Sequence, residues 1–71
     1  MLWTETDREV LFEVEEGQTE FQLDFNPHYG TLLVFYNGLI VSREDYEVEG
    51  RTLKLRFVPE AGSYILCRMV V

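Results

Sequence analysis

Apolar and polar residues alternate one by one along most of this chain. Phe21, Leu23 and Phe25 are separated by Gln22 and Asp24, with Glu20 ahead of them. In a strand, successive side chains point to opposite faces, so residues 19–25 read as a half-buried strand with one solvated face. Val10, Phe12 and Val14 alternate with Leu11 and Glu13 and predict an earlier strand over residues 10–15. Leu53, Leu55 and Phe57 alternate with outward Lys54 and Arg56 and predict another over residues 52–58. Residues 31–36 are apolar at almost every position, which predicts a central strand covered on both faces, or one with a face buried by a neighbouring subunit. A last strand spans residues 63–71, with Ile65, Cys67 and Met69 on one face.

The segments between these runs are turn chemistry. Asn37-Gly38 sits between two apolar stretches, the strongest short-range signal for a two-residue hairpin, because a type I′ turn needs positive φ at both central positions. Gly50, in Glu49-Gly50-Arg51-Thr52, suits the first central position of a type II′ turn. Glu16-Gly17-Gln18, Asn26-Pro27-His28-Tyr29-Gly30 and Pro59-Glu60-Ala61-Gly62 break the strands they follow. Arg43-Glu44-Asp45-Tyr46 is at best one short helical turn, in which Asp45 can bond backbone N–H groups two residues on and Tyr46 opens the next strand. No stretch of helical length has apolar residues at three-and-four spacing. The expected fold is all-β: a small antiparallel β-sandwich or partly open barrel of about six to seven short strands. Residues 1–9 are expected to be an N-terminal arm or extended segment, and residues 10–71 a single β-sandwich domain.

Composition narrows the functions available. Seventy-one residues make one domain at most. A single cysteine, Cys67, excludes an intrachain disulfide, and no Cys/His cluster is present for zinc. A small core without such staples points to association with copies of itself or with a larger partner as extra support. Thirteen acidic residues against six basic ones give a net charge of −7. That balance disfavours nucleic acid and anionic membranes as partners and favours solubility or a basic protein surface. The N-terminus lacks the basic and apolar regions of a signal peptide, and a reducing cytoplasm is the expected site of synthesis.

Conventional catalysis finds little support. His28 is the only histidine and lies in a loop, whereas Cys67 is the only thiol and lies mid-strand among core positions, where a free cysteine packs as a small hydrophobe. Most carboxylates alternate with core positions and read as a solvated face; Lys54 and Arg56 are placed to pair with acids on a neighbouring strand. No catalytic, cofactor-binding or metal-binding residue is therefore expected. Trp3, Tyr29, Tyr36 and Tyr64 are the candidate partner-binding residues, Trp3 because it lies in a polar segment where a large ring can anchor in a partner pocket. Outward apolar positions on the strands at residues 31–36 and 63–71 are expected to add contacts. Aromatic faces also stack on sugars, so a small carbohydrate-binding module, using Trp3, Tyr29 or Tyr64, is the alternative reading.

Five segments carry a family resemblance. Phe21-Gln22-Leu23, Leu33-Val34-Phe35-Tyr36-Asn37-Gly38, Asp45-Tyr46, Leu53-Lys54-Leu55-Arg56-Phe57 and Pro59-Glu60-Ala61-Gly62 occur in that order. Together they resemble a small β module of tailed-bacteriophage virion proteins, of tail-fibre or decoration type, over residues 10–71. In that family an apolar strand ends in a V-x-x-N-G turn, a D-Y follows, and a strand, a P-x-x-G turn and a closing strand complete the module. There the module is usually embedded in long fibre or tail chains, whereas here it stands alone. The resemblance implies a virion protein assembled in the host cytoplasm, with major capsid or tail proteins and further copies of itself as partners. A capsid decoration, cement or head–tail accessory role suits it best, with receptor binding on a tail or fibre as the alternative. It implies no catalytic residues.

Overall fold

The computed structural model describes residues 8–29 and 31–70. Among these residues seven short strands form two antiparallel sheets packed face to face, which makes the fold a sandwich. The strands are β1 (Arg8–Glu13), β2 (Glu20–Gln22), β3 (Thr31–Tyr36), β4 (Leu39–Ile40), β5 (Tyr46–Glu49), β6 (Thr52–Leu55) and β7 (Tyr64–Val70). Sheet A has the order β1-β7-β3-β4, and sheet B the order β2-β6-β5. Single 3₁₀ turns occupy Pro27–Tyr29 and Arg43–Asp45.

Alternation decides which side chains meet between the sheets. Phe21, Leu23 and Phe25 from one layer, Leu53 and Leu55 beside them, and Val34, Ile65, Cys67 and Met69 from the other are all buried. Phe12, Tyr36, Tyr46, Val48 and Phe57 pack around them partly buried. Phe12 stacks on Phe21 with ring centroids 5.2 Å apart, and Tyr36 on Phe57 at 5.6 Å, so aromatic pairs tie the two layers together.

Both two-residue hairpins form where the glycines predict them. Tyr36 pairs with Leu39 across Asn37 and Gly38, whose φ values are +50° and +89°, as a type I′ turn requires. Glu49 pairs with Thr52, and Gly50 is at φ +63° while Arg51 is not in the positive region, as a type II′ turn requires. β3 is central, as its apolar run predicts, lying between β7 and β4.

Several details depart from the sequence reading. β1 opens at Arg8, ahead of the expected Val10. β2 is three residues long, although Leu23 and Phe25 beyond it still reach the core. The Leu23 N–H there bonds the Arg51 carbonyl at 2.7 Å, in register with the β2–β6 pairing, so the segment stays tied to the β5–β6 turn just past the strand's end. In the turn before β5 it is Ser42, not Asp45, whose side chain caps: its Oγ accepts from the Glu44 N–H at 3.3 Å. Asp45 contributes backbone instead, its carbonyl accepting from the Arg56 N–H at 2.8 Å.

Candidate interaction surface

The two outward faces of the sandwich are chemically opposite. Sheet B presents Glu20, Gln22, Glu47, Glu49, Thr52, Lys54 and Arg56, alternating with its buried residues. Lys54 Nζ lies 2.7 Å from Glu49 Oε1, and an Arg56 guanidinium nitrogen 3.2 Å from Glu47 Oε1. Each base reaches an acid of β5 diagonally, since the residue directly opposite Lys54 is Glu47. The hydrogen bond to Lys54 holds the Glu49 carboxyl below its ordinary pKa, and the same bond holds the Lys54 ammonium above its own. Thr52 Oγ1 donates to Gln22 Oε1 at 3.1 Å, extending this polar surface onto β2.

Sheet A presents apolar side chains instead. The register places Leu11 opposite Leu66, Leu66 opposite Phe35, and Phe35 opposite Ile40, so one continuous rung crosses all four strands. Leu11 is 59% exposed and Ile40 64%, at the two ends of the rung. Leu33 lies one pair further along β3, and Tyr64, half exposed, one pair along β7 in the other direction. Glu9 and Arg68 face each other beside the rung. Glu9, Leu11, Phe35, Tyr64, Leu66 and Arg68, with Gly38 of the β3–β4 turn, line a shallow trough of about 310 Å³ on this face.

The residues singled out in the sequence fall in different places. Tyr64 lies in this trough. Tyr36 points inward: its hydroxyl accepts from the Glu60 N–H at 3.0 Å and lies 3.4 Å from Ser63 Oγ, so it braces the turn before β7. Tyr29 ends the 3₁₀ turn Pro27–Tyr29. Trp3 lies outside the described residues. Leu11 and Ile40 were not singled out by sequence; the signal available for Leu11 was an apolar residue on the face expected to be polar.

Nothing among the described residues assembles a conventional active site. Cys67 is fully buried and its thiol is pushed up to about 12 by that burial, so it offers no thiolate near neutral pH. His28 is exposed in the 3₁₀ turn Pro27–Tyr29, away from the buried thiol, and the two do not form a nucleophile–base pair. No group of three or more His, Cys, Asp or Glu among the described residues is placed to hold a metal ion. Burial also raises the Tyr46 phenol, an effect that the nearby Arg43 charge partly offsets. Compared with known proteins, the chain matches no family model, no curated protein and no solved structure.

Proposed function

We propose that this chain is a non-enzymatic structural protein of a bacteriophage particle, a small capsid decoration or cement protein or a head–tail accessory protein, acting by protein–protein binding. The observation that carries the binding role is the contrast between the two outer faces. An apolar rung four strands wide, ending in the exposed Leu11 and Ile40, is the kind of contiguous patch that marks an interaction site. The opposite face, laced with ion pairs, is built to meet water. The phage setting rests on the ordered sequence segments that resemble the virion module. Copies of the chain and the major capsid or tail proteins are the partners this reading names.

Co-sedimentation of the purified chain with phage particles, followed by mass spectrometry of the particles, tests the proposal. Leu11→Glu and Ile40→Glu place charge at exposed ends of the rung, so the fold is expected to survive while particle binding falls at least tenfold. A chain that stays monomeric and never sediments with particles overturns the reading.

The carbohydrate-binding alternative has one observation in its favour, the half-exposed ring of Tyr64 in the trough. Glu9 and Arg68 are the charged side chains lining that trough, and the rest of its lining apart from Tyr64 is apolar or glycine, which ranks this reading second. A glycan array without hits removes it.

A further inference from the structure

The two long edges of the sandwich differ. On one the chain passes from β1 to β2, and Phe12 packs on Phe21. On the other, open edge β4 stops after two residues, and among the described residues no strand pairs with the first half of β3 on that side.

The hydrogen-bond phase shows which backbone groups this leaves unused. The Asn37 N–H bonds the Tyr64 carbonyl, and in an antiparallel ladder alternate residues bond to alternate sides. Phe35, Leu33 and Thr31 therefore bond β7, whereas Tyr36, Val34 and Leu32 turn their peptide groups the other way. Leu39 meets Tyr36, and the Val41 N–H reaches the Val34 carbonyl at 2.8 Å. Leu32 lies beyond the end of β4, and no backbone partner on that side is found for it among the described residues. Sheet B repeats the pattern. The Arg56 N–H bonds the Asp45 carbonyl, so Glu47 and Glu49 bond β6, and the peptide groups of Tyr46 and Val48 face the outer edge.

Between these two edges lies a cleft of about 260 Å³. Pro27, Leu32, Tyr46 and Val48 wall it with apolar surface, and His28, Arg43 and Glu47 stand at its rim. Glu47 is engaged by Arg56. Arg43 takes part in neither of the ion pairs among the described residues. The volume falls below the range of about 300–1,000 Å³ usual for small-molecule pockets, and suits a single bulky side chain.

We propose that this open edge receives an extended segment of another protein, one that inserts a bulky apolar side chain into the cleft and sets a carboxylate beside Arg43. Backbone donors and acceptors on both flanking strands that have no partner among the described residues favour an extended peptide, which adds itself to a sheet edge through main-chain hydrogen bonds. The apolar walls select the inserted side chain. On a chain of net charge −7, a rim that carries Arg43 and whose one acid is already paired favours an anionic neighbour.

The test is a nuclear magnetic resonance titration of the full chain with two capped peptides, TVELDVT and its lysine counterpart TVKLKVT. The acidic peptide is expected to shift the amide signals of Leu32, Tyr46 and Val48 and to bind at least fivefold tighter than the lysine peptide. Arg43→Glu, at an exposed position, is expected to abolish or reverse that preference without changing the rest of the spectrum. Absence of shifts at millimolar peptide, shifts confined to the outer face of sheet A, or equal binding of the two peptides overturns the proposal. So does a nuclear Overhauser contact between the Trp3 indole and Leu32 or Val48 in the free chain, because the cleft would then be filled by the chain's own segment.

Discussion

Asn37 and Tyr64 are joined by two hydrogen bonds. The Asn37 N–H donates to the Tyr64 carbonyl, and the Tyr64 N–H donates to Asn37 Oδ1, each at 2.9 Å. The turn that closes the β3–β4 hairpin therefore also completes the β3–β7 ladder, with the side-chain oxygen standing in for a backbone carbonyl.

Asparagine is thus held at position 37 by two demands, a φ of +50° and an acceptor aimed at β7. Asn37→Gly meets the first and loses the second, and is expected to cost about 0.5–1.5 kcal/mol. Asn37→Ala loses both, and the strained φ adds roughly 1–2 kcal/mol. Urea unfolding of the two variants, with unchanged m-values, separates the turn from the hydrogen bond.

Tyr36→Phe keeps the ring against Phe57 and removes only the hydroxyl that accepts from the Glu60 N–H. A loss of about 0.5–1.5 kcal/mol in unfolding free energy is expected, because that N–H lies on an exposed residue where water can replace the lost partner. Faster hydrogen exchange at Glu60 is the local readout.

Cys67 gives the fold a pH dependence on the alkaline side. Its thiol ionises near 9 when solvated and near 12 when buried, so the folded state keeps a proton that the unfolded state loses. Its contribution is complete below pH 9 and is lost progressively as the pH rises toward 12. The raised Tyr46 phenol acts in the same direction. Unfolding midpoints measured from pH 8 upward are expected to fall, and Cys67→Ala, itself less stable through the smaller side chain, is expected to show a shallower slope. At pH 8 the native thiol is expected to resist alkylation and to react only on unfolding.

The ion pairs of sheet B are expected to matter little to stability. Both Lys54 and Glu49 are solvated, and water screens such pairs. Lys54→Ala, or addition of about half-molar salt, is expected to leave the unfolding midpoint within experimental error.

Much of this architecture was legible because alternation reports faces directly. The burial of Phe21, Leu23, Leu53, Leu55, Ile65 and Met69 follows from period two, and both hairpins follow from Asn37-Gly38 and Gly50. The partners of each strand were not legible. Arg8 pairs with Met69 and Thr31 with Val70, and alternation carries no information about which distant strand a face will meet. The apolar outer face was half visible, through the two-sided run of β3 and through Leu66. Its completion by Leu11 and Ile40 depends on the register that sets them in one rung. Asp45 was the natural capping residue by type, yet Ser42 reaches the Glu44 N–H because it precedes the turn, where the unsatisfied donors point. Tyr36 read as a candidate partner-binding aromatic, yet Glu60 sits 24 positions away in sequence and could not be foreseen as its hydrogen-bond partner.

The placement of β7 between β1 and β3 sets the order in which this protein can fold. β7 is the last strand among the described residues, and β1 and β3 hydrogen-bond to it and not to each other. Sheet A has no centre until residue 70 has left the ribosome. Before then only local units such as the β5–β6 hairpin can form, and the apolar residues of β1 and β3 wait without their common neighbour. Folding therefore closes long loops late, and it is expected to be slow for a domain of this size.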